Sequence, residues 1–202
     1  MILLQPTDNK TINIALTGKM RSGKDTVAKQ LIKAFEDDSD TRVVMFGFGD
    51  ALKEYAQELF PNKFTDGQKP RHLYQWFGQT MRTQDEDIWV RMAADNINHS
   101  NSFSSLFNNA INVITDLRQP NEYQFCKDNN FIIVKVECDD AVRLGRMKTN
   151  NDQFDITDLT HETEGYIDTF EADYTITTTH TNEEECMERV KALKEFILKN
   201  KI

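Results

Sequence analysis

Cysteine is scarce in this sequence: three in 202 residues, at Cys126, Cys138 and Cys186. They are odd in number and widely spaced. That excludes a disulfide framework and a zinc-ligand pattern, and reduced thiols in a cytoplasm are the expectation. Cations are outnumbered, 24 Lys and Arg against 33 Asp and Glu, for a net charge of −9. This balance argues against broad nucleic-acid or membrane-surface binding, each of which calls for a basic face. No apolar run approaches the length of a bilayer span. The first residues lack a basic stretch followed by an apolar one, so no secretory signal is expected. No internal repeat is present, and no Asn-Lys-x-Asp base-reading motif, which counts against a nucleotide switch.

What remains is ordinary for a globular chain, with 39% hydrophobic and 28% charged residues. The length suits one domain, or one domain with an inserted lid. One stretch organises the rest: Gly18-Lys19-Met20-Arg21-Ser22-Gly23-Lys24-Asp25-Thr26. It follows an alternating apolar run (Ile12, Ile14, Leu16) and opens an amphipathic one (Val27, Ala28, Leu31, Ile32, Phe35). Strand, glycine-bounded turn and helix are the context of a phosphate-binding loop. The glycines let the backbone fold around an anion, and the amides of the first helical turn, with the helix dipole, favour negative charge. Lys24 would reach the β- and γ-phosphates of a nucleoside triphosphate. The motif departs from its usual form at Asp25, with the hydroxyl one position later at Thr26.

Strands are expected at 12–16, 42–46, 111–115, 131–136 and 174–178, and helices at 23–35, 51–60, 71–81, 85–97, 140–147 and from Asn182 onward. A shorter helix follows Pro120 up to Lys127. Asp50 is expected to cap the helix at 51, residues 98–109 to form a surface loop, and 116–120 a turn. Strands alternating with helices imply a parallel sheet covered on both faces. The fold class is therefore α/β: a three-layer α/β/α P-loop NTPase with a five-stranded parallel sheet, a helical insertion and a short lid. The division expected is a core of 11–48 and 110–202, a substrate-binding insertion of about 49–109, and a lid of about 143–165.

Transfer of a phosphoryl group needs a phosphate cradle, a metal and cations around the migrating group. Asp116, ending the run Val113-Ile114-Thr115, is the candidate metal carboxylate, with Asp25 and Thr26 beside it. A turn or helix-capping role for Asp116 and a helix-dipole role for Asp25 stay open. Arg82, Arg118, Arg143 and Arg146 fall where the ligand end is expected, and an Arg fork grips phosphate oxygens in two places. Arg143 and Arg146 are three apart and share a helix face. In the insertion, Gln75, Trp76, Gln79 and Trp89 could wall and read a nucleobase, or the tryptophans could be core. His161-Glu162-Thr163-Glu164 reads as a local helix start rather than a metal site.

Together these pieces resemble the deoxynucleoside monophosphate kinases of the phage type, a branch of the P-loop nucleoside monophosphate kinases. The resemblance runs through nearly the whole chain. Gly18 to Thr26 looks like that family's loop. Phe48 to Glu54, Arg71 to Arg82 and Asp87 to Val90 look like its substrate-side helices. Val113-Ile114-Thr115-Asp116-Leu117-Arg118, then Pro120-Asn121-Glu122, is the most specific match. Dephospho-coenzyme A kinases and one class of phosphomevalonate kinases share parts of the layout. The resemblance implies ATP with Mg²⁺ as donor and a deoxynucleoside 5′-monophosphate as acceptor. It implies that Gly18, Lys19, Arg21, Ser22, Gly23, Lys24, Asp25 and Thr26 bind the donor. Asp50, Lys53, Arg71, Gln75, Trp76, Gln79, Arg82, Trp89, Arg118 and Glu122 would bind the acceptor. Lys24, Asp116, Arg118, Arg143 and Arg146 would carry transfer, with Thr26, Asp25 and Asp116 at the metal. A cytoplasmic enzyme is implied, in a host cytoplasm if phage-encoded, without nucleic-acid or membrane partners; a homodimer is compatible with it.

Overall fold

The computed structural model describes residues 1–7, 10–36, 40–64, 70–103, 109–149, 162–179 and 182–200. Five strands form one sheet: β1 (Lys10–Thr17), β2 (Thr41–Phe46), β3 (Asn109–Leu117), β4 (Ile132–Glu137) and β5 (Tyr174–Thr177). All pairings are parallel, in the order β2-β3-β1-β4-β5. The helices are α1 (Lys24–Glu36), α2 (Asp50–Leu59), α3 (Arg71–Gln84), α4 (Ile88–Ser102), α5 (Pro120–Asp128), α6 (Asp140–Thr149), α7 (Glu162–Ile167) and α8 (Glu183–Lys199). A 3₁₀ turn, Pro61–Lys63, lies between α2 and α3.

Alternation along the strands builds two cores. Ile12, Ile14 and Leu16 of β1 pack with Ile111 and Val113 of β3 and Val134 and Val136 of β4, under α1 (Val27, Leu31, Phe35) and α8 (Val190, Leu193, Ile197). On the other face, Ala15, Ile114 and Ile133 meet α4 (Val90, Ala93, Ile97) and α5 (Phe125, Cys126). The sheet is thus sandwiched between two helical layers. A third cluster, Ala51, Leu52, Ala56, Phe77 and Trp89, joins α2, α3 and the first turn of α4. α4 serves two cores: Trp89 belongs to the helical cluster, and its later turns cover the sheet.

Three boundaries differ from expectation. The stretch 98–102 is helical rather than loop, because its polar side chains and carbonyls are tied down: Asn98 Oδ1 accepts from Gln5 N, Arg42 donates to Ser100 O, and Asn101 Oδ1 accepts from Asn112. Asp50 is the first residue of α2 and not its cap; Gly49 occupies the cap without a side-chain bond. Asp116 belongs to β3 rather than to a turn. The α8 start is as read, with Asn182 Oδ1 accepting from Glu185 N at 2.8 Å.

The end of β3 also carries an irregularity. Ala15 pairs with Ile114, but Thr17 pairs with Leu117, so β3 has one residue more than β1 there. The bulge breaks alternation: Ile114 and Leu117, three apart, both enter the second core. It also turns Asp116 toward the start of the insertion. Asp116 Oδ1 accepts from Phe48 N at 2.8 Å and Oδ2 from Gly49 N at 3.0 Å.

Candidate active site

The loop between β1 and α1 winds through three positive-φ residues in six positions, Gly18 (151°), Arg21 (59°) and Gly23 (97°). At Gly18 a side chain has no room: a Cβ would sit 2.4 Å from Val136 O and 2.8 Å from Ser22 Oγ. Lys24, 7% exposed, opens α1 and folds back over the loop, donating to the carbonyls of Gly18 and, at 3.1 Å, Lys19. Ser22 Oγ is buried without a hydrogen-bond partner. Ser22 lines a small hollow with Gly18 and Lys19, and the winding of the loop under the Lys24 ammonium is what fits a phosphate.

A cleft of 860 Å³ opens at this loop, at the carboxyl ends of the strands. Six cationic side chains line it: Arg21, Lys24, Lys53, Arg71, Arg118 and Arg146. Three acidic ones accompany them, Asp25, Asp116 and Glu183. In a chain of net charge −9, that excess marks an anion site. Lys53 stays charged. Burial pulls its ammonium down, but the hydrogen bond to Asp50 (2.8 Å) and the charges of Asp50 and Asp116 outweigh this and raise its pKa above the ordinary lysine value.

Thr26, Asp25 and Asp116 all line the cleft. Among the described residues no group of three or more His, Cys, Asp or Glu is placed to hold a metal. One hydroxyl and one or two carboxylates nevertheless fit Mg²⁺, which keeps several waters and takes the rest of its shell from substrate phosphates. Asp116 has a structural duty besides, since it pins the turn from which α2 starts. Asp116→Ala is expected to leave two amides without acceptors and to cost about 2–4 kcal/mol. Urea unfolding would register the loss.

Arg143 and Arg146 share a face of α6, and both grip the loop from outside. Arg143 Nε donates to Met20 O at 2.7 Å, and Arg146 to Arg21 O at 3.2 Å. The two therefore hold consecutive loop carbonyls. Arg146 also reaches Thr178, on its hydroxyl (3.2 Å) and its carbonyl (2.8 Å). Arg143, expected at the ligand end, does not line the cleft. It is 7% exposed, paired with Asp140 at 2.6 Å, and lines a separate 210 Å³ hollow with Lys19. Lys19 is likewise turned from the cleft, into an ion pair with Asp168 at 2.8 Å.

The expected acceptor residues divide. Lys53, Arg71 and Arg118 line the cleft, whereas Gln75, Trp76, Gln79 and Arg82 do not. Trp76 is half exposed, edge-on to Phe60. Trp89 is a core residue and not a pocket wall: it is 2% exposed and its indole N–H donates to Gly78 O at 3.2 Å. Glu122 is not open to a ligand either. It is buried, and Oε2 accepts from Arg118 N (2.9 Å) and Gln119 N (3.0 Å), while Oε1 lies 3.6 Å from Arg82. The His161 position lies outside the described residues, as do 150–160 of the expected lid, and nothing is described of the side chains at 162–164.

Sequence reading missed Thr178. Its hydroxyl donates to Ser22 O and its methyl would lie 3.3 Å from a Cβ on Gly23, so it ties β5 to the loop. Nothing distinguishes it from its neighbours Thr177 and Thr179 in sequence.

Burial, then the charge of Asp116, pushes the Glu122 carboxyl up to about 7, against the hydrogen bonds from the Arg118 and Gln119 amides and the charge of Arg82. A raised value means that the folded chain holds the proton more tightly than the unfolded one. The contribution to stability is therefore greatest below 4.5 and is lost as pH rises to about 7. Urea titrations at pH 5 to 8 should show Glu122→Gln flatter than the parent, with a relative gain of roughly 1–3 kcal/mol at pH 8.

A family model described as an AAA domain matches residues 14–164. A comparison with curated protein sequences finds no match. Among solved structures, TT1252 from Thermus thermophilus superposes with a TM-score of 0.59 at 22% identity, covering 94% of this chain and 98% of that one. A sugar kinase from Janibacter sp. gives 0.55 at 15% identity over 92% and 95%. A shikimate kinase from Bacteroides thetaiotaomicron gives 0.50 at 16% over 93% and 98%. The likeness is one of fold: a kinase-like P-loop sheet with its helices.

Proposed function

Because this chain belongs to the AAA domain family and has the P-loop kinase fold, we propose that it is an ATP-dependent kinase of nucleoside 5′-monophosphates, making the diphosphate. The coarser part of this statement, a phosphotransferase acting on a small molecule, follows from the fold. The finer part rests on the resemblance of the Val113–Glu122 segment and on one observation. Six cations from the loop, α1, α2, α3, the β3–α5 connection and α6 converge on one cleft. Its 860 Å³ suits two phosphorylated molecules end to end.

In this reading Lys24 exchanges its loop carbonyls for the donor's terminal phosphates, and the loop amides take the remaining oxygens. Arg118, Lys53 and Arg71 hold the acceptor's phosphate opposite. Arg146 neutralises charge near the loop while Arg143 keeps the loop in shape. Mg²⁺, held by Thr26 with Asp25 or Asp116 largely through water, would supply further charge neutralisation. No general base is required, since the acceptor phosphate is already ionised. The division into core, acceptor-binding insertion (about 49–109) and lid (about 143–165) belongs to the same proposal. Closure of the last would exclude water and so suppress hydrolysis.

Coupled assays with each ribo- and deoxyribonucleoside monophosphate test the assignment. Turnover of at least one at a rate well above ATP hydrolysis is expected, and turnover of none would overturn it. Dephospho-coenzyme A and phosphomevalonate belong in the same panel as competing acceptors.

A further inference from the structure

The acceptor side of the cleft hangs from one short connection. Between β3 and the first turn of α5, Asp116 holds the amides of Phe48 and Gly49 at the head of α2. Asn121 donates to Glu86 O and Asp87 Oδ1, both at 3.0 Å, between α3 and α4. Glu122 binds the Arg118 and Gln119 amides and faces Arg82 near the end of α3. Three helices of the insertion are thus keyed to seven residues.

Glu122 is the odd member. It is 3% exposed, and its only cation within ion-pair range among the described residues is Arg82 at 3.6 Å, a loose contact for a buried carboxylate. The charged and titratable groups around it are Asp116 on β3, Arg118 just after it, Arg82 on α3 and Cys126 on α5. A neutral amide of the same shape would satisfy the backbone as well and would avoid the desolvation of a charge. The negative charge is therefore poor architecture, and it has a clear geometric effect. It fixes the main chain of Arg118, whose side chain lines the cleft, and draws in Arg82, whose side chain is 22% exposed beside it.

We propose that Glu122 is a positioning residue for the acceptor's phosphate, ordering Arg118 through its backbone and Arg82 through its charge before the acceptor arrives. This rests on the phosphoryl-transfer reading above. Arg82 does not itself line the cleft; its contact with Glu122 sets it beside the main chain of Arg118, whose side chain does.

The test is the kinetics of Glu122→Gln at pH 8, above the value of about 7 to which the carboxyl is raised, with the acceptor found in the monophosphate panel. The acceptor KM should rise about tenfold, as expected for loss of a charge-assisted contact. The ATP KM should stay within about twofold, and the melting temperature at pH 8 should be unchanged or higher. A purely structural role, met equally by the Gln amide oxygen, would leave the acceptor KM unchanged, and that result, or both KM values worsening together, overturns the proposal. If Glu122→Gln does not fold, Arg82→Met takes its place: a raised acceptor KM alone supports the proposal, and an unchanged one refutes it. If the parent protein transfers to no monophosphate, the functional reading fails separately. Inorganic phosphate is then the probe: a smaller phosphate-induced rise in melting temperature for Glu122→Gln supports the positioning role, and an equal rise removes it.

Discussion

Lys24→Ala should lower kcat by about a thousandfold or more while shifting the melting temperature by no more than about 5 °C. The asymmetry follows from what the ammonium touches. Its protein partners include the Gly18 and Lys19 carbonyls, on a loop that Arg143 and Arg146 also hold. Loss of those bonds costs about 1 kcal/mol each, a small part of the stability of a chain this size. The same ammonium lies over the loop and lines the cleft, where charge on a terminal phosphate would build up. Calorimetry and a coupled assay on one preparation would separate the two effects. Retention of more than a tenth of the parent kcat would show that the transferred group lies elsewhere.

Gly18→Ala should damage both quantities at once. The residue sits at φ 151° and an added Cβ would come within 2.4 Å of Val136 O, a backbone atom of a central strand that has no way to yield. The loop itself would have to move, and with it Ser22, Lys24 and the carbonyls under Arg143 and Arg146. We expect a loss of about 3 kcal/mol or more, or some 6–12 °C in melting temperature, together with at least a hundredfold weaker ATP binding. Gly145, whose added Cβ would meet nothing within 4 Å, is the control. Alanine there should leave binding as it is and, in the interior of α6, raise stability by about 0.5–1 kcal/mol.

The contrast between these two glycines shows what the amino-acid order reveals and what it hides. The phosphate loop was legible because its constraint is local: Gly, four residues, Gly-Lys between an alternating run and an amphipathic one leaves few other structures. The strands and the Asn182 cap were legible for the same reason. Roles decided by distant partners were not. Arg143 and Arg146 look alike in sequence, and only the approach of α6 to the loop separates a buried brace from a cleft residue. Trp89 reads equally as a base platform or as core until Gly78 O is placed beside its N–H. The polar stretch 98–102 resembles a loop, yet its hydrogen bonds run to residues between 11 and 93 positions away. Glu122 looks like a ligand-binding carboxylate and is instead a buried contact of Arg118 and Arg82.

The extra residue in β3 has a consequence for how this enzyme class can change over time. Because Leu117 and Ile114 share one core, the count of residues between them is itself constrained. Replacing Thr115 with a residue of similar bulk should be tolerated. Deleting it would bring the strand back into step with β1, swing the Asp116 carboxylate toward oil rather than toward the amides of Phe48 and Gly49, and leave the start of α2 unpinned. Insertions and deletions in this strand should therefore be selected against more strongly than a change at Thr115.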